Sequence, residues 1–179
     1  MSPWDRSQGV LCAASLLALI ALASCGRPRV APAENIVLVP GAAFPRSLSG
    51  KGSYRFRFEV AADRFLRLDV EQRGVDVLVA LEDSAGHLLY EIDTPTGNHS
   101  SEPVLAVTAV SDRYVLVVQP LAPGAKGDFV LKVREVRPAG TKDRLCAAAA
   151  RVFARAETGW LGADFEREAT AYGEALLHL

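Results

Sequence analysis

Residues 53–71 read SYRFRFEVAADRFLRLDVE, two apolar–polar alternations separated by Ala61, Ala62 and Asp63. In the first run Tyr54, Phe56, Phe58 and Val60 share one face, and Arg55, Arg57 and Glu59 share the other. In the second, Leu66, Leu68 and Val70 oppose Arg67, Asp69 and Glu71. Successive side chains of a strand point to opposite faces, so a strict period of two marks strands buried on one side only. A hairpin closed at 61–63 would set Phe58 beside Leu66 and Arg55 beside Asp69, a favourable pair on each face. The alternative is that the two runs enter different sheets.

The same rhythm continues along the chain. VDVLVALE (75–82) ends at DSAG (83–86), whose leading Asp and closing Gly suit a type I turn. HLLYEID (87–93) ends at TPTGN, where Pro95 and Gly97 act as breakers. PVLAVTA (103–109), RYVLVVQ (113–119) and DFVLKVREV (128–136) follow, and IVLV (36–39) with a short strand near 46–48 precedes them. Eight or nine short strands at such spacing, with no room for crossover helices, predict a mainly β protein built as an antiparallel β-sandwich over 36–137.

Of the 179 residues, 20 are Lys or Arg and 21 are Asp or Glu, giving a net charge of −1. Residues 36–140 carry 12 basic against 13 acidic side chains, so no basic stripe faces a phosphate backbone and nucleic acid is not an expected partner. The three cysteines, Cys12, Cys25 and Cys146, form no disulfide framework. The fold must therefore hold by its core.

Residues 9–24 form a 16-residue run of apolar or small side chains. That length suits a signal-peptide core and falls short of the roughly 20 residues of a spanning helix. A plain cleavable signal and a short membrane anchor are the alternatives. Leu22-Ala23-Ser24-Cys25 resembles the lipobox of bacterial lipoproteins. The resemblance implies a signal peptide over 1–24, lipidation of Cys25 and cleavage before it. Two or more acyl chains anchor a protein stably to a membrane. Gly26 stands where an Asp commonly retains such lipoproteins at the inner membrane, which points to the outer membrane. Residues 25–35 read as a tether.

The β region resembles the pre-peptidase C-terminal type of sandwich, a jelly-roll-like accessory domain of secreted proteins. The resemblance is carried by Leu48 and Gly50, by Tyr54-x-Phe56-x-Phe58-x-Val60-Ala61, and by Gly74-x-Asp76-Val77-x-Val79-x-Leu81 leading to Asp83-x-x-Gly86. Tyr114-Val115-Leu116-Val117-Val118 and Gly127-x-Phe129-x-Leu131-x-Val133 complete it. Asp63 stands where that family often has Gly, and Ser111-Asp112-Arg113 replaces the usual Gly before the late Tyr.

TKDRLCAAAARVFARAE (141–157) is rich in strong helix formers, with Thr141 as N-cap and Asp143 in the first turn. Leu145, Ala149, Val152 and Ala156 make its apolar stripe, widened by Phe153. TGWLGA (158–163) breaks the helix, and Asp164 caps a second one. In that second helix Phe165, Ala169, Tyr172, Leu176 and Leu179 form an apolar interaction seam. The expectation is a two-helix hairpin over 141–179, docking on a protein partner. ATAYGEALLHL resembles the second helix of a tetratricopeptide repeat through Tyr172-x-x-Ala175-Leu176. The order of lipobox, sandwich and hairpin resembles the N-terminal region of bacterial proteins that continue into such repeats and a CHAT-type, caspase-like peptidase.

Catalytic groups are not expected. No G-x-S-x-G elbow occurs, His87, His99 and His178 are scattered, and Cys146 reads as a packed thiol on an Ala-rich helix. Metal-ligand spacings such as H-E-x-x-H are missing. No cofactor is expected, with one alternative. Asp93, Asn98 and Glu102 in DTPTGNHSSE could offer oxygens to Ca²⁺, although a solvated turn explains the same residues. Arg55, Arg57, Arg64, Arg67 and Arg73 read as a charge-paired face because Glu59, Asp69 and Glu71 interleave with them. The expected function is a non-catalytic, membrane-tethered module of the cell envelope. The alternatives are a targeting or regulatory region of a CHAT-type peptidase and a calcium- or carbohydrate-binding adhesin.

Overall fold

The computed structural model describes residues 32–49, 52–94 and 97–157, with side chains to 154. Nine strands and one helix follow in the order β1 (Glu34–Asn35), β2 (Ala43–Ser49), β3 (Tyr54–Val60), β4 (Arg64–Arg73), β5 (Val77–Glu82), β6 (Leu88–Ile92), β7 (Ser101–Val107), β8 (Asp112–Pro120), β9 (Lys126–Pro138) and α1 (Thr141–Glu157). They build two facing sheets, β1-β3-β8-β5-β6 and β2-β9-β4-β7. All pairings are antiparallel except β1 with β3, which is parallel. From β2 onward this is the jelly-roll order of two interlocked Greek keys. Phe56 and Phe58 of β3, Leu66, Leu68 and Val70 of β4, Leu116 of β8, and Phe129 and Leu131 of β9 fill the space between the sheets.

The run opening the sequence analysis does not close as a hairpin. β3 pairs β8 and β4 pairs β7 and β9, so Phe56 and Phe58 meet Leu66 and Leu68 across the core rather than side by side. The corner is made by Asp63, at φ +57° the one non-glycine with positive φ among the described residues. Asp tolerates that left-handed region better than most side chains, which accounts for an acid where Gly would also fit. Buried Thr108 clamps the corner. Its Oγ1 accepts the Arg64 N–H (2.9 Å) and donates to the Ala61 carbonyl (2.7 Å), while its own carbonyl accepts the Asp63 N–H (2.8 Å).

The expected pairs resolve differently for the same reason. Arg55 reaches across β8 to Glu82 (2.6 Å), and Asp69 binds Arg134 (2.6 Å). β9 shifts register opposite Arg67/Leu68, so Glu135 faces Arg67 while Val133 faces Leu68. Arg134 is the extra residue, and the bulge turns it onto Asp69. The five arginines are split: Arg55 and Arg57 lie on one sheet, Arg64, Arg67 and Arg73 on the other. They form no single patch.

Two expected elements are corrected. Residues 36–39 are not a strand. The ladder stops after Asn35 and one further bond from the Ile36 N–H to the Arg57 carbonyl (2.8 Å), leaving Val37 and Val39 76% and 54% exposed. Pro40 and Gly41 then turn the chain into β2, an edge strand that accommodates Pro45 because its outer side needs no ladder donor. In α1, Thr141 is the first helical residue rather than the cap. Gly140 is the cap: its carbonyl accepts the Arg144 N–H (3.2 Å), and its N–H donates to Asp143 Oδ2 (2.8 Å). The fully buried residues of α1 are Ala147, Ala148 and Ala154; Leu145, Ala149 and Val152 are half-buried, and Phe153 is 50% exposed. Ala147 and Ala154 let the helix approach the two strand edges closely, and the bulkier stripe of Leu145, Ala149 and Val152 lies on another side of the helix. The second expected helix and the lipobox lie outside the described residues.

Candidate functional site

β6 and β7 are the edges of the two sheets on the same side of the sandwich, and α1 packs against both. A helix laid there protects two rows of unpaired backbone groups. Its start is fixed from below. The Ala139 N–H donates to the Asp63 carbonyl (2.9 Å), Arg144 binds Asp63 Oδ1 (2.9 Å), and Arg137 binds both oxygens of Asp143 (2.5 and 2.8 Å). The Arg137 hydrogen bonds, with the Gly140 N–H, hold the Asp143 carboxyl down to about 2.

The helix roofs a groove of about 450 Å³ at one end of the sandwich. Its walls are Leu81, Leu89, Leu105, Val107, Val110 and Ala147, from β5, β6, β7, the turn after β7 and α1. Val110 is 57% exposed at the mouth. Asp83, Asp112, Arg144 and Arg151 edge the opening. Tyr114 is set by a tyrosine-corner bond, its hydroxyl donating to the Val110 carbonyl (2.8 Å), and Tyr90 donates to the Pro103 carbonyl (3.0 Å). Burial pushes both phenols up. The size and apolar lining suit an aliphatic or aromatic group.

The β5–β6 turn at its edge holds Ser, His and Asp side chains. Asp83 Oδ1 accepts the N–H groups of Ala85 and His87, and its Oδ2 lies 2.8 Å from His87 Nδ1, which holds its carboxyl below the usual range. Ser84 Oγ donates to Asp112 Oδ2 (2.6 Å), and that bond lowers Asp112. The serine proton thus goes to a carboxylate of depressed basicity, not to the imidazole. A nucleophile needs a base matched to its proton, and this arrangement supplies none.

The oxygen-rich stretch proposed for calcium is organised around one buried acid. Glu102 has no exposed surface. Its Oε1 accepts from Gln72 Nε2 (2.8 Å) and Thr94 Oγ1 (2.8 Å), and its Oε2 accepts the Thr94 N–H (2.9 Å). Gln72 also donates to Ser100 Oγ (3.1 Å), and its Oε1 accepts the Val77 N–H (2.9 Å). Burial raises the Glu102 carboxyl; the Thr94 bonds oppose this, and the Asp93 and Asp76 charges add to it. Of the three calcium candidates, Glu102 is tied to Thr94, the residue after Asp93. Asn98 is not: it is exposed, its Oδ1 lies 2.6 Å from His99 Nδ1, and its carbonyl accepts the Gly74 N–H (2.9 Å). Among the described residues no three His, Cys, Asp or Glu side chains are placed to share a metal ion.

Sequence reasoning missed Gln72, Thr94 and Thr108 as organising residues. The signal for the first was present. Gln72 continues the inward series Leu66, Leu68, Val70, and Glu102 precedes inward Val104 by two. Two polar residues at inward positions call for each other. Cys146 is an exposed free thiol on α1. Leu22, Ala23, Ser24 and Cys25, and likewise Phe165, Ala169, Tyr172, Leu176 and Leu179, lie outside the described residues. No helix among the described residues is long and apolar enough to cross a membrane.

No protein-family model matches the chain, and no curated protein matches it. Among solved structures it is similar to the pre-peptidase C-terminal domain of a Bacillus anthracis collagenase, with 20% identity over 57% of this chain and 97% of that one (TM-score 0.45). It is also similar to PliG, a periplasmic inhibitor of g-type lysozyme. The Aeromonas hydrophila protein is 8% identical over 56% of this chain and 96% of that one (TM-score 0.42). The Salmonella Typhimurium protein is 10% identical over 57% and 100% (TM-score 0.34).

Proposed function

We propose that the chain is a non-catalytic binding module, lipid-tethered through Cys25 and held outside the cytoplasm. In this reading the jelly-roll sandwich is the body, and residues 141–179 form a helical hairpin that meets a protein partner. The observation that carries it is the groove under α1. Its walls are apolar, its tyrosine hydroxyls are committed to backbone carbonyls, and the serine at its edge is bonded to a weakly basic carboxylate. Such a lining suits an apolar group, which supports the binding reading. The lipobox sequence supports the tether.

Radiolabelled palmitate incorporation, with membrane fractionation, tests the tether. The wild type should carry label and sediment with membranes, and Cys25→Ser should lose both. An unlabelled, soluble wild type refutes the anchor. Leu105→Arg, which places a charge in the groove wall, tests the body. Partner binding by the folded variant should fall, and unchanged binding removes the groove from the account. The hairpin resemblance supports a second reading, in which the chain is the N-terminal region of a repeat-containing CHAT-type peptidase.

A further inference from the structure

Helix α1 is apolar on two opposite sides. At about 100° per residue, Ala147, Ala150 and Ala154 lie on one side, and that side meets the sandwich. Ala148, Leu145, Ala149 and Val152 centre about 180° away. Exposed Lys142, Phe153 and Cys146 lie between the two faces on one flank, and exposed Arg144 and Arg151 lie between them on the other. One apolar stripe is enough to seat a helix on a sheet. A second stripe on the reverse marks a helix that lies between two layers.

We propose that the second layer is this chain's own segment 164–179, folded back antiparallel along α1. The inference rests on the hairpin reading above and gives it a register. Leu145, Ala149 and Val152 mirror Leu176, Tyr172 and Ala169 about a single point between residues 160 and 161, inside TGWLGA. A six-residue link (158–163) falls within the range that joins antiparallel neighbours. The mirrored pairs complement one another in volume: Tyr172 meets Ala149, Ala169 meets Val152, and Leu176 meets Leu145. The segment is covalently attached, so its effective concentration at α1 is on the order of millimolar, well above that of a second copy in dilute solution. The seam of Phe165, Ala169, Tyr172, Leu176 and Leu179 then faces inward. What remains for a partner is the groove and the arginine flank.

Val152→Cys/Ala169→Cys, in the full chain with Cys12, Cys25 and Cys146 changed to Ser, tests the register. On mild oxidation it should form an intramolecular disulfide roughly tenfold faster than Val152→Cys/Leu179→Cys, whose Cα atoms the register holds too far apart. Equal rates, or a disulfide-linked dimer in place of the monomer, overturn the register. Hydrogen exchange on the chain with its native cysteines, with and without Leu145→Asp, keeps the test open if the cysteine variants fail to fold. Protection of 164–179 that falls in Leu145→Asp is expected. Protection unchanged by Leu145→Asp removes the docking but leaves the hairpin, and free exchange throughout 164–179 removes both.

Discussion

Glu102→Gln removes one acceptor from the most buried polar cluster of the sandwich and keeps its shape. The wild-type carboxylate accepts three hydrogen bonds, from Gln72 Nε2, Thr94 Oγ1 and the Thr94 N–H. A glutamine oxygen keeps the bonds made at Oε1 and turns its amide against the Thr94 N–H. One bond is lost and two donors face each other, at a cost of about 1–3 kcal/mol relative to the ionised wild type. For a sandwich of this size that lowers Tm by about 4 °C per kcal/mol. The sign of the pH dependence follows from burial, which raises the folded Glu102 above its ordinary value of 4.5. The folded state then binds more protons than the unfolded state above that value. The stability contributed by the proton is full below pH about 4.5 and is lost as pH rises through the folded value. The substituted glutamine does not titrate, so the gap between wild type and variant should narrow from pH 4.5 to pH 8. Urea unfolding followed by circular dichroism at four or five pH values measures it. A gap that widens with pH, or one below about 0.5 kcal/mol throughout, refutes the account of Glu102 as the buried acceptor that ties Thr94 to Gln72.

Other outcomes follow from close approach, the tyrosine corner and the helix cap. A Cβ on Gly127 would lie 2.8 Å from Val75 Cβ and 2.9 Å from Gly74 C and Val75 N, so Gly127→Ala forces backbone to move and should cost about 1–3 kcal/mol. An unchanged melting temperature would show that the β9 start has slack. Tyr114→Phe leaves the Val110 carbonyl without its donor and should cost about 1 kcal/mol, read from the chemical denaturation midpoint. Asp143, held down to about 2 by Arg137 and the Gly140 N–H, stabilises the start of α1 above its unfolded value of 3.8 and loses that effect as pH falls through about 2. Far-ultraviolet circular dichroism should therefore show helix loss between pH 4 and pH 2 in the wild type that Asp143→Asn lacks; matching profiles would exclude the cap.

The strands were legible because their signal is local. Alternation locates β3, β4, β5, β8 and β9 to within about two residues, a result that needs only the period of a pleated chain. The span of α1 was equally plain from its helix formers. The 36–39 run misled because Ile36 is buried and Leu38 packs on the core while the backbone there makes no ladder; apolar alternation reports packing, not pairing. The bulge at Arg134 was hidden in the same way, since an inserted residue changes the phase without changing the composition.

By itself the sequence determined which residues of the strands face inward, the Phe, Leu and Val series of each, and the helical composition of 141–157. Tertiary structure alone decided where those faces turned. It sent β3 and β4 to opposite sheets, seated α1 on its alanines, and folded Glu102 inward onto Gln72 and Thr94. The physical reason is range. Periodicity is fixed by the geometry of a few neighbouring bonds, whereas partner choice is fixed by which distant surfaces fill the same volume and satisfy the same buried donors.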